Sequence, residues 1–363
     1  MADVVYLHVG APKTGTTYLQ ERLRLNRVNL AEHDVHYSVG LLHDMFGPAL
    51  DLLDESWGGQ RDQFRGEWDN LVGRVRRAKG TAVVTHEILA GAPSAQVARA
   101  MQDFADAEVH VVYSARDLAR QVPAEWQESV KHRNKKQFKR YLNQVMEADR
   151  LNPTLWFWRA QGLPDVLGRW SAGLPPERVH LVTVPQRSAP RDELWLRYCR
   201  AFSLDPALAP ADDVRSNPSL GIDETAMLRY LNRRLRRAGL DSAAYRTIVR
   251  QTLVHDTLAQ RKRMRPVTLP PRVRDWAEEV AQEWIEWVQG SGIDVVGDVE
   301  DLRPRFPGDD AAWADPDNPR NRRVADAAID ALVAAVVELS ERPDPSEGAV
   351  AKIGRAARRL RGQ

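Results

Sequence analysis

Cysteine is almost absent from this 363-residue chain: Cys199 is the one copy. That excludes an intrachain disulfide framework and suits a reducing compartment. With Trp195, Tyr198 and Phe202 at helical spacing around it, Cys199 reads as buried filler. Long hydrophobic runs are missing too. The most apolar stretch, Ala325 to Leu339, is interrupted by Asp326, Asp330 and Glu338 and falls short of a membrane span. Before the β-branched run Val4 to Val9 there is no basic segment, apolar segment or small-residue cleavage pattern, so no signal peptide is expected. These absences predict a soluble, cytoplasmic protein. Charge of one sign is scarce: 52 Lys and Arg against 50 Asp and Glu leave +2, too little for a global field that drives nucleic-acid binding. No internal repeat is present.

What is present alternates. Val4 to Val9, Val35 to Val39, Thr81 to Thr85, Val109 to Ser114 and Val179 to Val184 are short β-rich runs bounded by polar or turn residues. Helical patterns lie between them, such as Leu163, Val166, Leu167 and Trp170. Strands alternating with helices predict an α/β fold, a parallel β-sheet core flanked by helices, whose ligands gather at the carboxyl ends of the strands. After about residue 190 the strand pattern fades. Met227, Leu228, Leu231 and Leu235 make one apolar helical stripe; Val273, Trp276, Val280, Trp284 and Trp287 make another. The expected organisation is a core over 1–190, a helical part over 191–340 completing the same domain, and a linker with a basic tail over 341–363. A chain this long can bury a substantial core.

Gly10-Ala11-Pro12-Lys13-Thr14-Gly15-Thr16-Thr17 joins the first strand to a helical pattern beginning at Tyr18. A strand, a tight loop and a helix start present backbone N–H groups without intrahelical partners, together with the positive end of the helix dipole, so an anion docks there readily. Gly10, Gly15 and Thr17 fall in register with the nucleotide P-loop G-x-x-x-x-G-K-[ST], but Thr16 stands at the lysine position and the lysine is at 13.

Pro12-Lys13-Thr14-Gly15-Thr16-Thr17 resembles the 5′-phosphosulfate loop, P-K-[ST]-G-T-T, of sulfotransferases that use 3′-phosphoadenosine 5′-phosphosulfate (PAPS). The resemblance implies a P-loop-like fold of a bacterial, cytosolic type and PAPS as the sulfuryl donor, with no metal. It makes Lys13 the residue at the 5′-phosphate and bridging oxygen, with Thr14 to Thr17 as the cradle. The run Val111-Val112-Tyr113-Ser114-Ala115-Arg116-Asp117 is similar to the family's 3′-phosphate site. Arg116 and Asp117 match it, whereas Leu118 stands in place of Pro and Ala124 in the serine register; Gln121, Arg120 or Gln127 would replace the lost hydroxyl. An arginine fork suits a phosphate because it donates charge-assisted, bidentate hydrogen bonds.

Sulfuryl transfer needs an aligned acceptor hydroxyl, a group that takes its proton, and cations beside the bridging oxygen. Thr85-His86-Glu87 ends the third strand and offers two bases: Thr85-His86 resembles the pair of cytosolic sulfotransferases, and a glutamate serves in many carbohydrate sulfotransferases. Continued strand geometry would point His86 and Glu87 oppositely; Glu87 is favoured as the base, and a cap for the turn 87–90 is the structural reading of the same residues. The acceptor is expected to be a glycan, lipid or small metabolite. The rival functions are a P-loop kinase-like phosphotransferase, which would need lysine at 16, and a noncatalytic nucleotide-binding protein.

The remaining features read as structure first. The basic run from Val130 to Tyr141 is a solvated face, or else a gate or anionic-acceptor surface near the donor. Trp57 and Trp68 are core, or else acceptor-stacking aromatics. Asn217-Pro218-Ser219-Leu220-Gly221 reads as turn and cap chemistry. The tail, with Val350, Ile353 and Leu360 among arginines, could give weak contact with an anionic membrane surface.

Overall fold

The computed structural model describes residues 2–37, 45–57, 60–212, 219–306 and 312–341. Strands β1 (Val4–Gly10), β2 (Val35–Tyr37), β3 (Thr81–Thr85), β4 (Glu108–Ala115), β5 (Val179–Thr183) and β6 (Asp294–Val296) form one sheet, in the order β2-β3-β1-β4-β5-β6. Every neighbouring pair is parallel. Helices flank this sheet, so the α/β expectation holds. Val5, Tyr6, Leu7, His8 and Val9 are all buried, which is why β1 reads as a continuous apolar run rather than an alternating one. Residues 38 and 39 of the expected second strand lie outside the described residues.

The fading of strands after residue 190 needs correction. β6 joins the edge of the sheet through the register His180↔Asp294 to Val182↔Val296. Three residues are too few to carry a readable period, and tertiary pairing supplies what local pattern lacks. A polar chain reinforces that edge: Glu108 Oε1 meets His110 Nε2 at 2.9 Å, His110 Nδ1 meets His180 Nε2 at 2.8 Å, and His180 Nδ1 meets Asp294 Oδ2 at 2.7 Å.

The chain divides into two compact units. The first comprises Met1–Ser129, Lys136–Ser216 and Val267–Asp317 and contains the whole sheet. Its core takes in Leu163, Val166, Leu167 and Trp170, all buried as their spacing predicts. Cys199 is buried among Trp195, Tyr198 and Phe202, and burial pushes its thiol up to about 12. Val280 and Trp284 of the helix Arg274–Ser291 are buried, with Trp158 edge-on to Trp284 at 6.5 Å. Trp68 is buried as well and donates its indole N–H to Asp103 at 2.8 Å, a core role.

The second unit comprises Val130–Lys135, Asn217–Pro266 and Asn318–Gln363. Its described helices include Ile222–Arg237, the π-helix Tyr245–His255 and Asn321–Ser340. Met227 and Leu228 are buried, while Leu231 and Leu235 sit half-buried. Asp223 and Glu224 are buried in the first turn of the helix Ile222–Arg237, paired with Arg265 and Arg261, where the helix dipole also favours negative charge. Asn217, Pro218 and the tail beyond Glu341 lie outside the described residues.

Candidate active site

β1 lies between β3 and β4. The connection from β1 leads to β2 on one side of it and the connection from β3 passes to β4 on the other, and a ligand crevice opens where strand order reverses in this way. The loop after β1, the turn after β3 and the end of β4 therefore share one edge. They carry Lys13, Glu87 and Arg116 respectively, three of the candidate site residues.

The loop has its own backbone requirements. The β1–β4 register shifts between His8 and Gly10, just before the chain turns. Gly10 takes φ 139, and a Cβ there would stand 2.9 Å from Ala90 Cβ and 3.0 Å from the Glu87 carbonyl oxygen. Gly15 takes φ 94, at the N-cap of the helix Thr16–Leu25, which receives no side-chain cap. Both positions need glycine. Lys13, also at positive φ, projects from the crest of the turn.

Beneath the loop is a buried polar network. Thr14 Oγ1 donates to the Ala11 carbonyl at 2.6 Å and lies 2.6 Å from Ser114 Oγ. Ser114 Oγ is 2.8 Å from the Gly10 carbonyl, and the Ala11 N–H donates to the Ser114 carbonyl at 2.9 Å. His8 Nδ1 meets Thr85 Oγ1 at 2.6 Å, and Nε2 meets Ser114 Oγ at 3.3 Å. Burial drives the His8 imidazole down to about 4, so it is neutral at physiological pH. Thr14 is thus an anchor of the loop through its hydroxyl, Thr16 is buried at the helix start, and Thr17 is exposed.

Lys13 Nζ donates to Glu128 Oε2 at 3.0 Å. Gln121, Glu125 and Glu128 recur at i, i+4 and i+7 on the helix Leu118–Lys131 and face the loop. Sequence reasoning passed over both glutamates, although the spacing from Gln121 is visible in the chain. Glu125 is buried and accepts from Gln161 Nε2 at 3.2 Å. Burial pushes its carboxyl up to about 7, aided by the charge of Glu128 and opposed by Lys13.

Arg116 directly follows β4, half-buried, and its partners are uncharged: Nε donates to Gln121 Oε1 at 2.9 Å and Nη2 to the Arg120 carbonyl at 3.0 Å. Among the described residues no carboxylate lies within ion-pair distance of it. Burial, with Arg120 nearby, lowers the guanidinium to about 10. Gln121 also donates Nε2 to the Pro12 carbonyl at 2.6 Å, so one amide ties Arg116 to the loop, and Gln161 Nε2 reaches the same carbonyl at 3.0 Å. Arg120 points elsewhere: its guanidinium is taken up by Asp117 and by the carbonyls of Val184 and Pro185 after β5.

No family model, curated protein or solved structure matches the chain. What the site can do rests on its own chemistry.

The strand ends at Thr85, His86 remains extended and the chain turns into a 3₁₀ segment from Glu87, so His86 and Glu87 do not alternate across a sheet. His86 caps the short 3₁₀ turn Glu87–Gly91 by accepting the Ile88 N–H on Nδ1 at 3.2 Å, which places the proton of the neutral ring on Nε2. Its ring is buried and packs 5.7 Å from Phe46. The cap reading of this turn is the one observed. Glu87 instead accepts from Gln20 Nε2 at 2.9 Å, on the helix that follows the loop. Burial favours its neutral form, but His86, its own backbone N–H, Gln20 and Lys13 outweigh that, so its pKa lies below the ordinary glutamate value. A carboxylate this acidic orients a hydroxyl strongly and is a weak base.

The other sequence candidates sit as follows. Lys131 is buried, whereas His132, Arg133, Lys135, Lys139 and Arg140 are exposed, so most of that run is a solvated surface. Trp57 is half-buried with Trp156 edge-on at 5.2 Å. Among the described residues no three His, Cys, Asp or Glu side chains converge as metal ligands, and no helix is long and apolar enough to cross a membrane.

Proposed function

We propose that the protein is a PAPS-dependent sulfotransferase that moves a sulfuryl group to a hydroxyl of a glycan, lipid or small metabolite. The observation that carries this reading is Arg116: a partly desolvated guanidinium held by an amide and a carbonyl instead of a carboxylate, one glutamine away from a lysine-bearing anion loop. A buried cation positioned by neutral acceptors leaves its charge for an incoming anion. Arg116, together with Lys13 once it leaves Glu128, fits a ligand with two separate phosphate groups better than a single triphosphate chain.

PAPS supplies a sulfuryl group on a bisphosphate leaving group. The acceptor oxygen forms a bond to sulfur as the bond from sulfur to the 5′-phosphate oxygen breaks, leaving adenosine 3′,5′-bisphosphate. Lys13, released from Glu128, offsets the negative charge growing on that bridging oxygen, and the loop amides and helix dipole hold the phosphate. Arg116 holds the 3′-phosphate. Glu87 accepts a hydrogen bond from the acceptor hydroxyl, fixes its line of attack and takes its proton as the bond to sulfur forms. His86 orders the turn that carries Glu87.

Calorimetric titration with adenosine 3′,5′-bisphosphate tests the donor site, with ATP and magnesium as the control. Binding of the bisphosphate, lost in Lys13→Ala and Arg116→Ala, is the expected outcome. Binding of ATP with magnesium alone would instead favour a phosphotransferase. A bisphosphate site with no sulfate transfer to any hydroxyl acceptor would favour a noncatalytic nucleotide-binding protein.

A further inference from the structure

The helix Asn321–Ser340 is assembled inside out. Toward its own unit it buries Ala327 and Ala331, packing against the helix Ile222–Arg237 and the π-helix Tyr245–His255. Its large side chains face solvent: Ile329, Leu332, Val333, Val336, Val337 and Leu339 are 51% to 63% exposed. Together they present on the order of 600 Å² of contiguous apolar surface, the upper limit of what monomeric proteins ordinarily leave in water. Methyl groups inside and branched chains outside invert the usual amphipathic order.

The spacing of the exposed stripe names an occupant. Ala325, Ile329, Leu332, Val336 and Leu339 follow intervals of 4, 3, 4 and 3, a heptad seam with β-branched Ile329 and Val336 at one core position and Ala325, Leu332 and Leu339 at the other. That combination packs best against a copy of itself in two-stranded pairing. Of the flanking positions nearest the seam, Ala328, Val333, Ala335 and Ser340 carry no charge and Asp326, in the second turn of the helix, does, so two copies approach with little like-charge repulsion along most of the seam. Asp326, Asp330 and Glu338 border the helix, and its arginines, Arg322 and Arg323, are confined to the first turn. Membrane-surface helices instead carry Lys and Arg along the polar face, and this charge pattern disfavours an anionic bilayer. A pair would bury about 1,200 Å² in total, within the range of specific interfaces.

We propose that this face is a homodimer interface, in which the Asn321–Ser340 helix of one chain packs against the same helix of a second copy. The proposal is independent of the sulfotransferase reading. Sedimentation of the full-length protein at tens of micromolar is expected to give twice the 41.0 kDa chain mass. Leu332→Glu is expected to weaken association roughly 100-fold or more, with helical circular dichroism unchanged because the side chain is exposed. Leu332 lies midway along the seam, so Leu332→Cys meets its own copy whichever way the helices run and should yield a covalent dimer on mild oxidation; Cys199 is buried and does not compete. A monomeric wild-type protein overturns the proposal. In that case flotation with anionic vesicles would assign the face to lipid, and dimerisation on truncation after Glu341 would assign it to the chain's own tail. A dimer unaffected by Leu332→Glu and not cross-linked by Leu332→Cys also overturns it.

Discussion

At the scale of the residue, each side chain of the site can be tested against the partner it keeps. Lys13→Ala and Arg116→Ala should each weaken adenosine 3′,5′-bisphosphate binding about 10- to 100-fold, the weight of a charge-assisted contact. Arg116→Lys should restore little of it, since an ammonium cannot reproduce the fork that engages Gln121, the Arg120 carbonyl and a phosphate together. Calorimetry on the three variants checks both statements. On the proposed reading, in which the carboxylate acts on the acceptor and not on the donor, Glu87→Gln should lower sulfate transfer about 100-fold while leaving bisphosphate affinity nearly intact. That Lys13, Glu87 and Arg116 come to one end of the sheet was legible in the chain because each closely follows a β-rich run. Glu125 and Glu128 were not, since surface helices are full of glutamates and only packing shows which ones face a lysine.

At the scale of the element, the end of β1 is the tightest joint. Gly10→Ala would drive a Cβ against Ala90 and the Glu87 carbonyl at a φ that alanine rarely adopts. We expect a loss of about 1–3 kcal/mol, read as a lowered Tm, with a loss of transferase activity beyond what stability explains because the Glu87 turn shifts with it. The five longer strand signals were readable as β-rich runs between turn residues. β6 was not, because an Asp-Val-Val edge strand exists only by virtue of the strand it pairs with. The 3₁₀ turn after β3 likewise depends on the His86 cap, which a strict period-2 extrapolation of the strand does not anticipate.

At the scale of the whole molecule, stability against pH should record two opposed groups in the sheet unit. His8 is held down to about 4, so folding loses its contribution as pH falls from 6.5 toward 4, where the unfolded chain takes up a proton and the folded chain does not. His180, also lowered by burial, acts in the same direction. Glu125, pushed up to about 7, has the opposite sign: the folded state holds its proton between pH 4.5 and 7, and stability falls as pH rises through that window. The Glu125 contribution is on the order of 3 kcal/mol across it. Wild type should therefore show a shallow profile between pH 4.5 and 6.5. Glu125→Gln should show stability rising clearly with pH over the same interval, measured by urea unfolding at several pH values.

By itself the sequence determined the α/β class, the place of its five longer strands along the chain and the strand-loop-helix that carries Lys13. Those follow from local rules: apolar runs that must be buried on both faces of a parallel sheet, and glycines and a lysine at a strand-to-helix turn. Only the tertiary structure decided that β1 stands between β3 and β4, which makes neighbours of the strands that lead to Lys13, Glu87 and Arg116 from separate stretches of chain. It also decided that Arg120 serves the β5 end while Arg116 is left without a carboxylate, and that the C-terminal apolar helix turns its alanines inward. Each of these depends on which surfaces meet across long sequence separations, and neither local propensity nor periodicity encodes that.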